Sequence, residues 1–400
     1  MNRRCQFSMQ RLVQRFAFAG LFVQVAPSGQ PQDRSPVRLA VKSVEAGELM
    51  TEVARVPKGS AQRERRVIEL FHDAGAASID FKILPIGERA APYLDAAKKK
   101  LREGLEAAKS DPADVTAALE NFDRRHAELG NTLIYKIPGK SDRVLVFGAH
   151  LDTAEPWDGV LDDWAGCVLL ANLYQALHDS EPQHSIWFVL YGASEEGLLG
   201  SKTWVDSLQP TELFSIDGYV QVECAGQSEP YGWWLGSNTG MAELCVDAAR
   251  RHKVPFTLLD FEGTESDAMA LKNKGVPTLS LLGVEPAKLG LLHGPKDVVG
   301  AVSPLPMAQT YAVLVELARE LDGHRQPLRW DYVKAKLRID EAGSGRTSTK
   351  PQKVDLAKAA AAGAAVPALV PAVPGTPLPA PATDPKNPPD APKKDGSDSP

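Results

Sequence analysis

Five short segments of this 400-residue chain carry imidazoles and carboxylates in positions suited to holding a divalent cation. Gly148-Ala149-His150-Leu151-Asp152-Thr153 follows directly on an apolar run. His150 and Asp152 lie two apart, so an extended chain points both to the same side. A metal-ligating imidazole is held by a partner on its other nitrogen, and a carboxylate such as Asp152 supplies one. Leu161-Asp162-Asp163-Trp164-Ala165-Gly166 opens an apolar helical pattern. Gly192-Ala193-Ser194-Glu195-Glu196-Gly197 ends another apolar run. Two adjacent glutamates there are costly unless a positive charge sits against them. With a cation present they divide labour, one carboxylate binding it while its neighbour stays free as a base. Glu223 closes the run Val220-Gln221-Val222, and His293 lies in the turn-rich Leu292-His293-Gly294-Pro295-Lys296-Asp297.

Each segment alone has an ordinary explanation. Acids at a helix start cap it and complement its dipole, and a histidine after a strand is more often packed or exposed than ligating. Taken together, two histidines and several carboxylates at successive strand ends suit Zn2+, with Mn2+ or Co2+ as substitutes, better than an iron–sulfur or copper site. One bridging carboxylate with two ligands on each side would hold a pair of metals.

The elements that must position these residues are legible as a class. Arg143–Ala149, Ser185–Tyr191, Gly218–Val222 and Thr278–Leu282 are nearly continuous apolar runs, the mark of strands covered on both faces. Between them, Ala165–His178, Met241–Arg251 and Met307–Leu321 repeat apolar residues at three- and four-residue spacing. The alternation predicts an α/β fold, a mostly parallel twisted sheet covered by helices on both faces. Ligands bind at the carboxyl ends of strands in such sheets. Residues 88–128, rich in Ala, Lys, Glu and Leu and broken at Ser110-Asp111-Pro112, predict an insertion of two charged helices ahead of the first central strand. Their charges are expected to form a solvated face.

The ends of the chain differ from its middle. Arg3, Arg4, Arg11 and Arg15 precede the apolar Phe16–Ala26 and small residues after it. That is the pattern of an export signal over residues 1–30, and it implies a periplasmic or extracellular protein. The last fifty residues hold twelve of the 31 prolines, and no aromatic follows Tyr332. Residues 343–400 are therefore expected to be a disordered, Pro/Ala-rich tail, which leaves residues 31–342 as one large domain. A net charge of −6 argues against a nucleic-acid binder, and no run reaches the roughly 18 apolar residues of a membrane span. Four cysteines exclude a disulfide scaffold. Cys167, Cys224 and Cys245 read as buried small hydrophobes. His72, His126, His178, His184, His252 and His324 match no motif and are expected on the surface or satisfied in the core, and Trp233 and Trp234 as packing.

From about Arg63 to Leu321 the chain resembles the M28 family of zinc-dependent exopeptidases. The resemblance rests on Gly148-x-His150-x-Asp152 at a strand end, Asp162-x-x-x-Gly166, and Glu195-Glu196-Gly197-Leu198-Leu199-Gly200-Ser201, with Glu223 and His293 before Pro295-Lys296-Asp297. Asn131–Gly139 is similar to the family's preceding strand. Ser266-Asp267 is similar to its Ser-Asp-His segment, with Ala268 in place of the histidine. The resemblance implies a zinc exopeptidase-like fold and two Zn2+ per chain. It implies that His150 and Glu223 hold one ion, Glu196 and His293 the other, and that Asp162 bridges them. Asp152 then orients His150, Glu195 is the general base, and the Asp162–Asp163 peptide is cis. Relatives carry one residue between the glutamate pair and Gly-Leu where this chain has none, so a gap-free alignment instead puts Glu195 on the metal and Ser194 at the base position. The activity implied is peptide-bond hydrolysis by metal-activated water, an aminopeptidase acting on peptide or aminoacyl substrates. A single-zinc glutaminyl-cyclase-like acyltransferase and a non-catalytic binding relative are the alternatives. No feature of the sequence sets the oligomeric state.

Overall fold

The computed structural model describes residues 46–260, 265–324, 328 and 352–353. The segment read as an export signal lies outside them, as does nearly all of the predicted tail. Within that tail, only Gln352–Lys353 are described, as a two-residue strand paired with Leu259–Asp260.

Four central strands run parallel, and all four are the apolar runs predicted from sequence. They are β3 (Val144–His150), β4 (Ser185–Tyr191), β5 (Ile216–Glu223) and β8 (Thr278–Leu282), in the order β4-β3-β5-β8. β2 (Asn131–Ile137) and β1 (Phe81–Pro85) extend one edge in antiparallel sense. The short strands β6 (Tyr231–Trp233), β7 (Leu258–Asp260) and β9 (Gln352–Lys353) extend the other.

Strand pleating sends alternate residues to two cores. Leu145, Phe147 and Ala149 face one side with Phe188, Leu190, Val220 and Val222. Val144 and Val146 face the other with Trp187, Val189, Tyr191 and Tyr219. The first core is covered by α1 (Ala46–Val53), α2 (Ser60–Asp73), α5 (Ala165–Leu177), α8 (Thr239–Arg251) and α10 (Pro304–Asp322). The second is covered by α6 (Leu199–Ser207), α7 (Pro210–Ser215) and α9 (Ala268–Lys272). The sheet is thus mostly parallel with helices on both faces, as predicted. Burial of both faces explains the unbroken apolar runs.

The insertion forms two helices, α3 (Gly87–Ala107) and α4 (Pro112–Arg125). Asp111 caps α4 by accepting a hydrogen bond from the Ala113 amide at 2.8 Å, and Pro112 occupies the first turn. Most of its charged side chains are exposed. Its apolar seam is small: Ile86 and Ala90 pack with Leu129, Ala193 and Leu199, against the loop that follows β4. Among the described residues, no helix is long and apolar enough to cross a membrane. Cys167, Cys224 and Cys245 are buried and free.

Candidate metal centre

The carboxyl ends of the central strands deliver the candidate residues. His150 ends β3, Glu223 ends β5, and Glu195 lies four residues beyond β4. His293 follows the short turn Pro286–Leu291 after β8. Asp162 lies in the wide turn Val160–Trp164 that leads into α5.

Asp162 occupies the middle. Its Oδ1 lies 3.0 Å from His150 Nε2, and its Oδ2 lies 2.7 Å from His293 Nε2. Glu195 Oε1 approaches the same His293 nitrogen at 3.2 Å. His150, Asp162 and Glu195 each offer a ligand atom within 4.8 Å of the others. Asp152 stands behind: Oδ1 is 3.4 Å from His150 Nδ1, and Oδ2 accepts a 2.9 Å hydrogen bond from the Glu195 amide. One carboxylate therefore fixes both an imidazole and the chain carrying the glutamate.

Glu196 does not join this cluster, contrary to the expectation that it is a ligand. Both its oxygens accept hydrogen bonds from Arg125 at the end of α4, at 2.9 and 2.8 Å, and His126 Nε2 lies 3.2 Å away. The reason is the tight turn after β4. Ala193 and Gly197 take positive φ, 51° and 97°, and within it consecutive side chains diverge. Glu195 turns inward and Glu196 outward to the helical insertion. Glu195, expected as a free base, is the acid that sits with the candidate ligands. Ser194 Oγ donates to Asp267 Oδ2 at 2.7 Å. Glu223 is buried, near enough for the charges of Asp267, His150, Asp163 and Asp162 to act on it.

Three further residues support the site. The Asp162–Asp163 peptide is cis, as the resemblance implied, and Asp163 points into the protein. There it accepts from the His150 amide and the Cys224 amide, each at 3.2 Å, tying the ends of β3 and β5 together. Gly166 lies against that carboxylate: a Cβ there would come within 2.4 Å of Asp163 Oδ1, which explains the Asp162-x-x-x-Gly166 spacing. Arg63, on α2, is fully buried and donates to the carbonyls of Asp152 at 3.2 Å, Gly159 at 2.7 Å and Asp158. It fastens the loop that carries Asp152 and Asp162. Asp297 accepts from the Leu161 amide at 2.6 Å, and burial raises its carboxyl to about 7.

The electrostatics describe a trap for positive charge. Burial disfavours charge on His150, but hydrogen bonds to Asp152 and Asp162 outweigh it and hold the imidazole pKa well above its usual value. Burial also opposes charge on His293, and Glu195 and Asp162 outweigh it. Asp162 is buried, yet the two histidines hold it below the usual carboxylate range. Burial raises Glu195 and Glu223, partly offset by His293 for the former and reinforced by Asp267 for the latter.

The donor set fits a divalent cation. Asp162 Oδ2, Glu195 Oε1 and Glu223 Oε2 are buried and have no hydrogen-bond partner among the described residues. The first two nevertheless lie within 3.2 Å of an imidazole nitrogen. Leaving carboxylate oxygens unsatisfied in the interior is costly, and a cation coordinated by nitrogen and oxygen would satisfy them.

The family model of peptidase family M28 matches residues 132–322, the stretch that carries every candidate ligand. Leupeptin-inactivating enzyme 1 of Streptomyces exfoliatus is 31% identical over 173 residues, 42% of this chain and 39% of that one. Aminopeptidase Y of Saccharomyces cerevisiae is 29% identical over 147 residues, covering 35% of this chain and 27% of its own. The chain thus spans well under half the length of these curated relatives. The aminopeptidase LapA of Legionella pneumophila shares the fold at a TM-score of 0.51 and 15% identity, with 80% of each chain covered. A glutaminyl cyclase from an Acidobacteriales bacterium shares it at 0.51 and 17% identity, with 75% of this chain and 99% of that one covered.

Proposed function

We propose that this chain, whose residues 132–322 match the family model of peptidase family M28, is a zinc-dependent exopeptidase, an aminopeptidase that hydrolyses the first peptide bond of its substrate. The observation that carries the proposal is the position of Asp162, with one oxygen toward His150 and the other toward His293. That disposition suits a carboxylate bridging two ions. In this reading His150 and Glu223 hold one zinc, Glu195 and His293 the other. Glu195 thus takes the role first assigned to Glu196. A bound ion of this type supplies water of lowered pKa and polarises a carbonyl.

The chain's own residues supply the rest. Asp152 holds His150 in orientation and fixes the backbone of Glu195. Arg63 and Asp163 fix the loop and the strand ends. The surrounding core excludes bulk water from the buried carboxylates, which strengthens their pull on a cationic group. The α-ammonium of a free peptide amino terminus is such a group, and this favours the aminopeptidase reading.

A second reading has its own support. His150, Asp162 and Glu195 are the group among the described residues whose ligand atoms all lie within 4.8 Å of one another, and one ion there would suit acyl transfer of the cyclase kind. The experiment is to assay purified protein against aminoacyl and N-blocked anilides with and without chelator, and to count zinc. Chelator-sensitive cleavage of the free-amino substrate with two zinc per chain supports the proposal. Cyclisation of amino-terminal glutamine with one zinc supports the second reading. Hydrolysis that survives removal of all metal overturns both.

A further inference from the structure

A hydrolase of this kind needs a group that accepts a proton from the attacking water and returns it to the departing amine. In this chain the glutamate pair leaves none free. Glu195 stands with the candidate ligands, and Glu196 is bound to Arg125 and His126 away from them. Asp152, Asp163 and Asp297 are each fastened to backbone amides. A peptide N–H cannot relay a proton as a hydroxyl can.

Ser194, immediately before Glu195, is 8% exposed, and its Oγ donates to Asp267 Oδ2 at 2.7 Å. Asp267 is 1% exposed, and its Oδ1 has no hydrogen-bond partner among the described residues. It sits directly before α9, which packs on α6 and β5. Ser201 at the start of α6 also faces it. Neither Ser194 nor Asp267 has a part in the ligand set proposed above.

Building on the hydrolase reading, we propose that Ser194 and Asp267 form a hydroxyl–carboxylate relay that does the work of the missing glutamate base. As water attacks, its O–H bond breaks and the proton passes to Ser194 Oγ. The Ser194 hydroxyl proton passes in the same step to Asp267 Oδ2, and the water oxygen bonds to the scissile carbonyl carbon. When the C–N bond breaks, Asp267 returns its proton through Ser194 to the leaving nitrogen. The acid and amine products then exchange the remaining proton. Burial raises the Asp267 carboxyl pKa above its usual value. In this scheme Ser194 touches the reacting water, and Asp267 is a positioning and accepting group that acts through it.

The test uses the full zinc-loaded chain and an aminoacyl anilide. Asp267→Asn is expected to lower kcat by about 100-fold or more, the usual range for a lost general base, with zinc content and KM close to wild type. Ser194→Ala is expected to fall in the same direction. The double variant Ser194→Glu with Asp267→Asn puts a carboxylate directly at position 194 and is expected to regain activity over Asp267→Asn alone. A purely structural role for Asp267 would not be rescued in this way. In mixtures of light and heavy water the wild-type kcat should depend on deuterium fraction with the curvature of two protons in flight. This holds whether or not the variants fold. A linear dependence, or Asp267→Asn with near wild-type kcat, overturns the relay and leaves the hydrolase reading standing. A zinc-loaded wild type with no hydrolysis overturns the hydrolase reading itself.

Discussion

Glutamine substitutions at the two adjacent glutamates should have opposite consequences, and the structure sets their sizes. Glu196 pairs with Arg125 on the outer side of the turn, the two side chains 24% and 43% exposed. Exposed pairs of this sort contribute about 0.2–1 kcal/mol. At about 1.4 kcal/mol per factor of ten, Glu196→Gln should change zinc affinity or kcat/KM by no more than about fivefold. Glu195 faces inward, 3.2 Å from His293 Nε2 and grouped with Asp162 and His150. Residues that merely support a metal ligand are worth about 10–100-fold in affinity or activity, so Glu195→Gln, which alters a candidate ligand, should exceed about 100-fold. The assay is zinc content after dialysis against graded chelator, measured alongside hydrolysis of an aminoacyl anilide. The reasoning is refuted if Glu196→Gln loses zinc while Glu195→Gln keeps it. That result would mean the turn after β4 presents the opposite acid to the metal.

Other perturbations bear on the support beneath the site. Gly166→Ala forces a Cβ to within 2.4 Å of the Asp163 carboxylate; denaturant titration should show a loss of about 1–3 kcal/mol, with weaker zinc binding. Asp152→Asn removes the negative charge beside His150 Nδ1 and should weaken zinc binding by about 10–100-fold by competition with a chromogenic chelator. His184 lies far from the site, 3.3 Å from Asp217 and 3.2 Å from Asp322. Burial opposes its charge but the two aspartates outweigh it, so its folded pKa is raised. The stability it contributes is complete below its unfolded pKa of about 6.5 and is lost as pH rises through the folded value. Unfolding of wild type and His184→Asn should therefore differ more at pH 6 than at pH 9, and an equal difference at both would contradict this.

Much of this arrangement is readable in the chain. The central strands β3, β4, β5 and β8 announce themselves because both faces are covered, so nothing polar interrupts them. The edge strand β1 and the short β6 and β7 went unread. Three residues of Tyr231–Trp233 or Leu258–Asp260 are too few to display a period. His150, Asp162 and His293 were identified from residue type and position at strand ends and loops. The split of Glu195 from Glu196 was not, because neighbouring residues in a tight turn diverge by backbone torsion, which spacing does not encode. The gap-free alignment, which puts Glu195 on the metal, carries that signal. Arg63 was hidden within a charged stretch, Ser60–Arg66. Its signal is helical phase: Arg63, Val67 and Leu70 fall on one buried face of α2. Asp163 looked like the second half of an acid pair, and only Gly166 three residues on hints at a carboxylate folded inward. His126 and His184, which match no motif, prove to be a 3.2 Å neighbour of Glu196 and part of a buried network.

Zinc-edge anomalous diffraction from crystals of the zinc-loaded chain tests the centre most directly. The proposal predicts two peaks flanking Asp162, one within coordination distance of Glu195 and His293 and the other of His150 and Glu223. Zinc density that avoids Asp162, or none at all in an active enzyme, would contradict it.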